Sequence, residues 1–395
     1  MFPAARHRLR LHWNPFKATH LLVERNRDKI FESATHAPHS FPGSLTLPRY
    51  QAHDLRGPDS KSEFSIGLTD DFSLDIFILF GSRPSGVGLL DSSWHGKTEN
   101  RAALTVLCSV NTGGHMVPAS MFISANVKEA TMFRFIEGTH QKVVERARAI
   151  TLDPAIVQDR TPDLHQKICA AAALIVLHGF LVLHWMIDKC RANLNALLKC
   201  KKHRLFGRVY IRLCQFHVIQ AILRWDWEIG KRGLGFPLSL DIKFEILYHF
   251  RELQRCRSLD NWEAAKCVFF ERVHKLFLVD AQYTAVCAYF EANWFIEPWI
   301  ETFTDIGMPA NQTRDGAWNT NNWAETAFKT FDSVFLDNRM NKRIDRLAVI
   351  IRNDFLRFFR YWSPRDRPLN QQIIALHTNA HNLWEQDRVV QVAED

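Results

Sequence analysis

Two aspartates close apolar runs in this chain: Asp91 ends GVGLLD and Asp188 ends HWMID. A third acid, Glu325, stands inside NTNNWAETAFK, a stretch of helical character. The carboxyl ends of strands are where α/β sheets expose their sites, so Asp91 and Asp188 occupy positions suited to chemistry. Three ionised carboxylates brought together repel one another, and such a group is stable only around bound cations. Mg²⁺ takes one or two carboxylates and keeps positions for water and phosphate oxygens, and Mn²⁺ accepts the same donors. Two such ions clamp the attacking and leaving oxygens of an in-line phosphoryl displacement. If Asp91, Asp188 and Glu325 share that work, their carboxyl groups fall within about 4–8 Å of one another. Taken singly, each acid has a simpler use: Asp91 as a turn residue before Ser92 and Ser93, Asp188 as a helix cap, Glu325 on a solvated helix face.

Cys214 and His217, in LCQFHVIQAI, open a helix directly after a strand. Cys200 and His203 form a second such pair, and the whole run C-x₂-H-x₁₀-C-x₂-H has the spacing of a four-ligand zinc site. The linking RVYIRL reads as a strand, which holds the two pairs apart. Zinc is therefore disfavoured, and Cys214 and His217 are read either as packing residues or as neighbours of the acidic site. Basic residues cluster nearby. Residues 189–257 hold fifteen Lys or Arg against five Asp or Glu, a surplus of ten, and residues 338–367 hold nine against three. The whole chain carries only +8, so these blocks concentrate the positive charge. A phosphate backbone is the partner such blocks suit, and Lys201, Lys202, Arg204, Arg208 and Arg212 are its candidate contacts; a solvated face is the plain alternative. Trp225, Trp227 and Trp262 interleave with the first block, to stack on bases or to pack in a core.

These residues need a frame. Phe72–Phe80 reads as a β-like run, followed by the turn GSRPSGVG, which lacks the GxxxxGK[ST] of a phosphate loop. Gly86–Asp91, Ala102–Val110 and Met116–Ile123 read as strands in a meander, with Asn111–Gly114 as a hairpin turn. Helices follow over Glu129–Ala149 and residues 163–178, then a strand at 180–187, a helix at Arg191–Lys199, a strand at Arg208–Leu213 and a helix at Phe216–Glu228. Residues 236–303 are helical and rich in aromatics, and 304–319 read as a loop. Helices close the pattern near Asn321–Ser333, which carries Glu325, and at Lys342–Tyr361. The expected fold is a mixed α/β (α+β) core interrupted by an all-helical insertion, with the strands ending at Asp91 and Ile187 as neighbours in one sheet. The expected divisions are a weakly patterned segment 1–71, a core 72–230, an insertion 231–317, closing core helices 318–362 and a tail 363–395.

Hydrophobic residues make up 47% and charged residues 23% of the 395, which excludes wholesale disorder and suits more than one domain. Ile168–Ile187 contains no Asp, Glu, Lys or Arg and is long enough to span a membrane. Gly179 divides it, and His178 and His184 are costly in lipid, so it reads as a buried helix followed by a buried strand. No apolar segment at the start resembles a secretory signal. Eight irregularly spaced cysteines without CxxC fit a reducing compartment.

The stretch LLDSSWHGKTENRAALTVLCSVNTGGHMVPASMFIS resembles the opening of the transposase domain of Mutator-like (MULE) elements. WMIDKCRANLNALL resembles the second acidic motif of that family, LCQFHVIQAI its CxxH motif and TNNWAETAFK its third acidic motif. The four occur in the family's order over residues 72–361. The second motif departs in carrying Asn193 where an acid is common, and residues 1–70 contain no Cys for an N-terminal zinc module. The resemblance implies an RNase H-like mixed sheet with helices on both faces and a DDE triad of Asp91, Asp188 and Glu325 holding Mg²⁺ or Mn²⁺. It implies DNA strand cleavage and transfer in DNA transposition, with Cys214, His217, Asn321, Asn322 and Lys329 near the DNA beside the basic candidates. It further implies transposon ends and target DNA as partners, a homo-oligomer, a nuclear location, and neither a membrane nor a small-molecule cofactor. The alternative is a catalytically silent or domesticated DNA-binding transcription regulator.

Overall fold

A computed structural model describes residues 44–46, 65–82, 86–94, 97–98, 102–111, 114–157, 161–179, 182–207, 209–225, 238–309, 320–338 and 342–361. The fold is mixed α/β, and the chain divides into two compact units. The first comprises residues up to Leu183, Asn195–Gly207 and residues from Asn322; the second comprises His184–Leu194 and Arg208–Asn321.

The first unit is built on an antiparallel sheet. Its strands are β1 (Ser44–Thr46), β2 (Ser65–Asp70), β3 (Val87–Ser93), β4 (Ala103–Val110) and β5 (Met116–Ser124), in the order β1-β2-β5-β4-β3. The meander β3–β4–β5 matches the sequence reading, although β3 runs two residues past Asp91. Pro118 sits in mid-strand, where it cannot donate a ladder hydrogen bond. The register tolerates it: Leu107 pairs with Ser120 and Cys108 with Pro118, so one extra residue bulges at that point. The segment before residue 72 is not featureless, since β2 pairs with β5 through Ser65↔Ser124 to Leu68↔Met121.

Phe72–Phe80 is a helix, not a strand. Helix α1 (Asp71–Gly81) is capped by Asp70, whose carboxylate accepts the Ser73 N–H at 2.7 Å. Every residue from Phe72 to Gly81 is buried. A helix covered on all sides has no polar face, and its apolar run cannot be told from a buried strand by periodicity. The one charge inside it, Asp75, is met by Arg146 of α2 (Glu129–Leu152) at 2.7 and 3.1 Å. Helix α3 (Pro162–His178) packs against α1 and α2. It ends at Gly179, whose φ of 81° suits a residue without Cβ and whose N–H caps Ile175 O at 2.8 Å. No helix among the described residues is long and apolar enough to cross a membrane.

The second unit carries β6 (His184–Ile187) and β7 (Tyr210–Leu213), a parallel pair, with α4 (Arg191–Lys202) starting in this unit and ending in the first. Strand β6 is shorter than the expected 180–187, and Phe180 and Leu181 lie outside the described residues. Helix α5 (Gln215–Leu223) follows β7, and the aromatic block forms α6 (Leu240–Leu253), α7 (Trp262–His274), α8 (Asp280–Asn293) and α9 (Ile300–Phe303). Phe250 is the centre of this block, with Phe269, Phe290, Trp294, Phe295 and Phe303 at ring centroids of 5.2–6.5 Å. Trp262 is buried among them and Trp225 packs on Tyr289, so these two tryptophans serve the core. Strands β6 and β7 thus group with the helical insertion, a different division from one at residue 230.

The chain returns to the first unit through α10 (Asn322–Thr330), which packs on β3, β4 and β5 and continues as a π-helical turn at Phe331–Phe335. Helices α11 (Ile344–Ile350) and α12 (Leu356–Tyr361) flank a second π turn, Ile351–Phe355. Residues 363–395, most of 1–71, Arg208 and Trp227 lie outside the described residues.

Asp75 is wholly buried and Arg146 nearly so. Removing one partner of such a pair strands a charge, so Arg146→Ala is expected to destabilise the fold by about 3–5 kcal/mol. Asp75→Leu combined with Arg146→Met should recover most of that loss. Urea unfolding of the three proteins checks both statements.

Candidate functional site

The site is assembled by the parallel pair β6–β7. Its register runs His184↔Tyr210, Trp185↔Ile211, Met186↔Arg212 and Ile187↔Leu213. The Cys214 N–H adds a bond to Ile187 O at 2.9 Å. Asp188 and Cys214 therefore leave the two strand ends side by side. Cys214 is also the N-cap of α5, so His217 follows within the first turn of that helix. The result is a group of three ligand atoms, from Asp188, Cys214 and His217, all within 4.8 Å of one another. His217 Nδ1 lies 2.8 Å from Asp188 Oδ1, and each side chain is a little over a quarter exposed. Cys214 is fully buried behind them.

A fourth residue grips this group. Asn321 is fully buried; its side-chain amide donates to Asp188 Oδ1 at 3.3 Å and its backbone N–H donates to Cys214 Sγ at 3.1 Å. Next to Asp188 in sequence, Lys189 places its ammonium 3.7 Å over the Trp294 ring and donates to Asn293 O at 2.6 Å. Burial pulls the Lys189 ammonium down to about 8. The turn after β6 is thereby anchored to the aromatic block. The Asp188 carboxylate beside His217, with Cys214 adding to it, pushes the imidazole up to about 10.

Asp91 and Glu325 belong to the first unit. Asp91 is half-buried on β3 opposite Val106, and its Oδ1 accepts the Ser92 N–H at 2.7 Å. Burial, with the Asp91 charge adding to it, holds the nearby Cys108 thiol far above the usual thiol range. Glu325 stands in the first turn of α10, at the border of the face formed by Ala324, Ala327 and Phe328. The Trp323 indole N–H fixes the same turn to Gly114 O at 2.7 Å.

Of the residues expected to contact DNA, Arg208 lies outside the described residues and His217 is partly exposed; the other eight divide into two sets. Lys201, Lys202 and Arg204 are exposed at the end of α4, and Asn322 and Lys329 are exposed on α10. Positive charge at a helix C-terminus is also favoured by the helix dipole. Arg212, Cys214 and Asn321 are buried, so their surfaces are turned into the protein rather than outward to a duplex. Arg212 points to Met308 Sδ at 2.9 Å, which is a packing role. In the second basic block Arg343 pairs with Asp345 and Arg352 is half-buried, so part of that charge is structural. Of the four-ligand zinc pattern, Cys200 and His203 belong to the first unit: Cys200 is buried, with its thiol raised to about 12 by burial, and His203 packs on Phe133.

The sequence groups Asn321 with the DNA contacts, and its grip on Asp188 and Cys214 emerges only from the structure. The one signal in the sequence is its place four residues before Glu325. No protein-family model matches the chain, and no curated protein matches it.

Because the His217 pKa lies above its unfolded value of about 6.5, the Asp188 pairing stabilises the fold most below that pH. The contribution fades as pH rises towards about 10. NMR titration of the His217 ring should show a midpoint well above that of an exposed histidine, and Asp188→Asn should bring it down. An unshifted midpoint in the wild type would contradict the pairing.

Proposed function

We propose that this chain is a transposase-like polynucleotidyl transferase with an RNase H-like core, which cuts a DNA phosphodiester and transfers the freed strand. One observation carries the reading. Asn321 is tied to Asp188 and Cys214 by two hydrogen bonds, and Glu325 follows four residues later in the first helical turn. Four residues span at most about 14 Å, and less once helical, which limits how far Glu325 can stand from Asn321 along the chain. Asp91 stands on β3, the strand against which α10 packs. The proposal is that these three acids, 97 and 137 positions apart in sequence, act together.

The donor chemistry suits hard divalent cations: three carboxylates, none fully buried. Asp91, Asp188 and Glu325 would hold Mg²⁺ or Mn²⁺, which supplies the positive charge that offsets the phosphate and the developing oxyanions. The remaining work belongs to the chain's own residues. The Asn321 amide fixes one oxygen of Asp188, leaving the carboxylate in a set orientation. The His217 imidazole holds that same oxygen and limits its rotation. Exposed Lys201, Lys202 and Arg204 neutralise backbone phosphates and hold the duplex. Water, or a DNA 3′-hydroxyl, is the nucleophile. A nuclear location and a homo-oligomer acting on transposon ends and target DNA go with this reading.

A plasmid-nicking assay with Mn²⁺ tests the chemistry. Wild type should nick, and Asp188→Ala should be slower by about 100-fold or more, since metal stabilisation is worth several kcal/mol. Equal nicking by both, or none by either, removes the enzyme reading; DNA binding without nicking would favour the silent regulator. Binding is tested separately. Replacing Lys201, Lys202 and Arg204 by Gln should weaken binding to any duplex. It should also flatten the log–log salt dependence by about 0.9 for each phosphate no longer neutralised. An unchanged slope assigns these residues to a solvated face.

A further inference from the structure

We propose that Asp188, Cys214 and His217 form a zinc site with one open coordination position, and that zinc there competes with the Mg²⁺ or Mn²⁺ use of Asp188. Two of the three ligands are wrong for the cations invoked above. Mg²⁺ is held by oxygen, whereas thiolate and imidazole select zinc and its soft neighbours. Three protein ligands with a free fourth position are the usual arrangement of a reactive zinc centre.

The geometry fits. Tetrahedral zinc with bonds of about 2.0–2.3 Å sets its ligand atoms roughly 3.3–3.8 Å apart. The three ligand atoms already lie within 4.8 Å of one another, so closing the site takes shifts of about an ångström or less. The 2.8 Å contact between His217 Nδ1 and Asp188 Oδ1 would open by about half an ångström to admit the ion. Entry is from the side where Asp188 and His217 are partly exposed, with Cys214 at the floor.

A second observation points the same way. The Asn321 backbone N–H is directed at Cys214 Sγ, and its side-chain amide at Asp188 Oδ1. Metal-bound carboxylates and thiolates are held by such outer donors, which orient them and stabilise their negative charge. A cysteine serving only as packing does not need a donor aimed at its sulfur. The buried Asn321 therefore serves as a positioning residue for two ligands at once.

Zinc binding stands independently of the proposed strand transfer; the competition rests on that reading. The test uses the full chain, stripped of metal by a chelator. Zn²⁺ should bind tightly, with one equivalent lost in Cys214→Ser and in His217→Gln. Co²⁺ in its place should give a sulfur-to-metal charge-transfer absorption that Cys214→Ser abolishes. Asn321→Ala should weaken Zn²⁺ by about 10- to 100-fold. Thermal unfolding in chelator shows whether each variant folds, and Zn²⁺ should raise the melting temperature of the wild type more than that of Cys214→Ser. Equal zinc stoichiometry in wild type and both ligand variants, or Co²⁺ spectra without a sulfur band, would overturn the site. In the nicking assay, stoichiometric Zn²⁺ should inhibit the wild type and excess Mn²⁺ should relieve it. Undiminished nicking by zinc-loaded protein would overturn the competition. Absence of nicking under all conditions would sink the strand-transfer reading and leave zinc binding to be judged by absorption and melting.

Discussion

The parallel pairing of β6 with β7 is the constraint on which the site depends. Four register pairs, extended by the Cys214 N–H bond to Ile187 O, bring two strand ends level. A one-residue slip would turn every side chain on one strand to the other face. The Cys214 cap would then start α5 from the wrong side, and His217 could not meet Asp188. Trp185, Met186, Ile187 and Leu213 are all buried, so such a slip would force each side chain into a space packed around another. Lys189, laid over Trp294, fastens the turn that follows to the aromatic block. Hydrophobic packing thus sets the positions of polar atoms it never touches.

Asp188 is the residue on which the two proposals meet. Its carboxylate is shared between an imidazole and an amide in the second unit, and it is also an acid of the kind a hard cation takes. Such an arrangement is costly to leave half-made, since a carboxylate at a partly buried strand end needs either donors or a cation. Asn321 answers this from a buried position. Glu325 follows it four residues later in the sequence.

Much of this is legible in the sequence, for identifiable reasons. The strands ending near Asp91, Ile187 and Leu213 can be read because each is a short apolar run stopped by polar or turn residues. Gly179 shows where the Ala-rich helix stops, because only a residue without Cβ takes its backbone angle at no cost. Cys214 and His217 are open to two readings in the sequence, packing or a place near an acid, and the structure groups them with Asp188. Helix α1 is not legible: burial on every side erases the polar stripe that marks a helix, and Phe and Ile suit strands as well. Strand β2 escapes notice because SIGLTD is brief, contains Gly and ends in a helix cap. Arg212 and Asn321 are surface residues by type, but tertiary packing buries both. The grouping of β6 and β7 with the helical block lies in long-range packing that local pattern does not encode.

The central proposal is that Asp91, Asp188 and Glu325 share one cation-binding centre. Iron-directed cleavage measures this directly: Fe²⁺ replaces Mg²⁺ in the full-length protein, and ascorbate with peroxide generates radicals that cut the backbone beside the bound ion. The account predicts fragments from cuts near residues 91, 188 and 325 together, all suppressed by excess Mg²⁺ and all lost in Asp188→Ala. Cuts confined to the neighbourhood of residues 188–217, with none near 91 or 325, would contradict it.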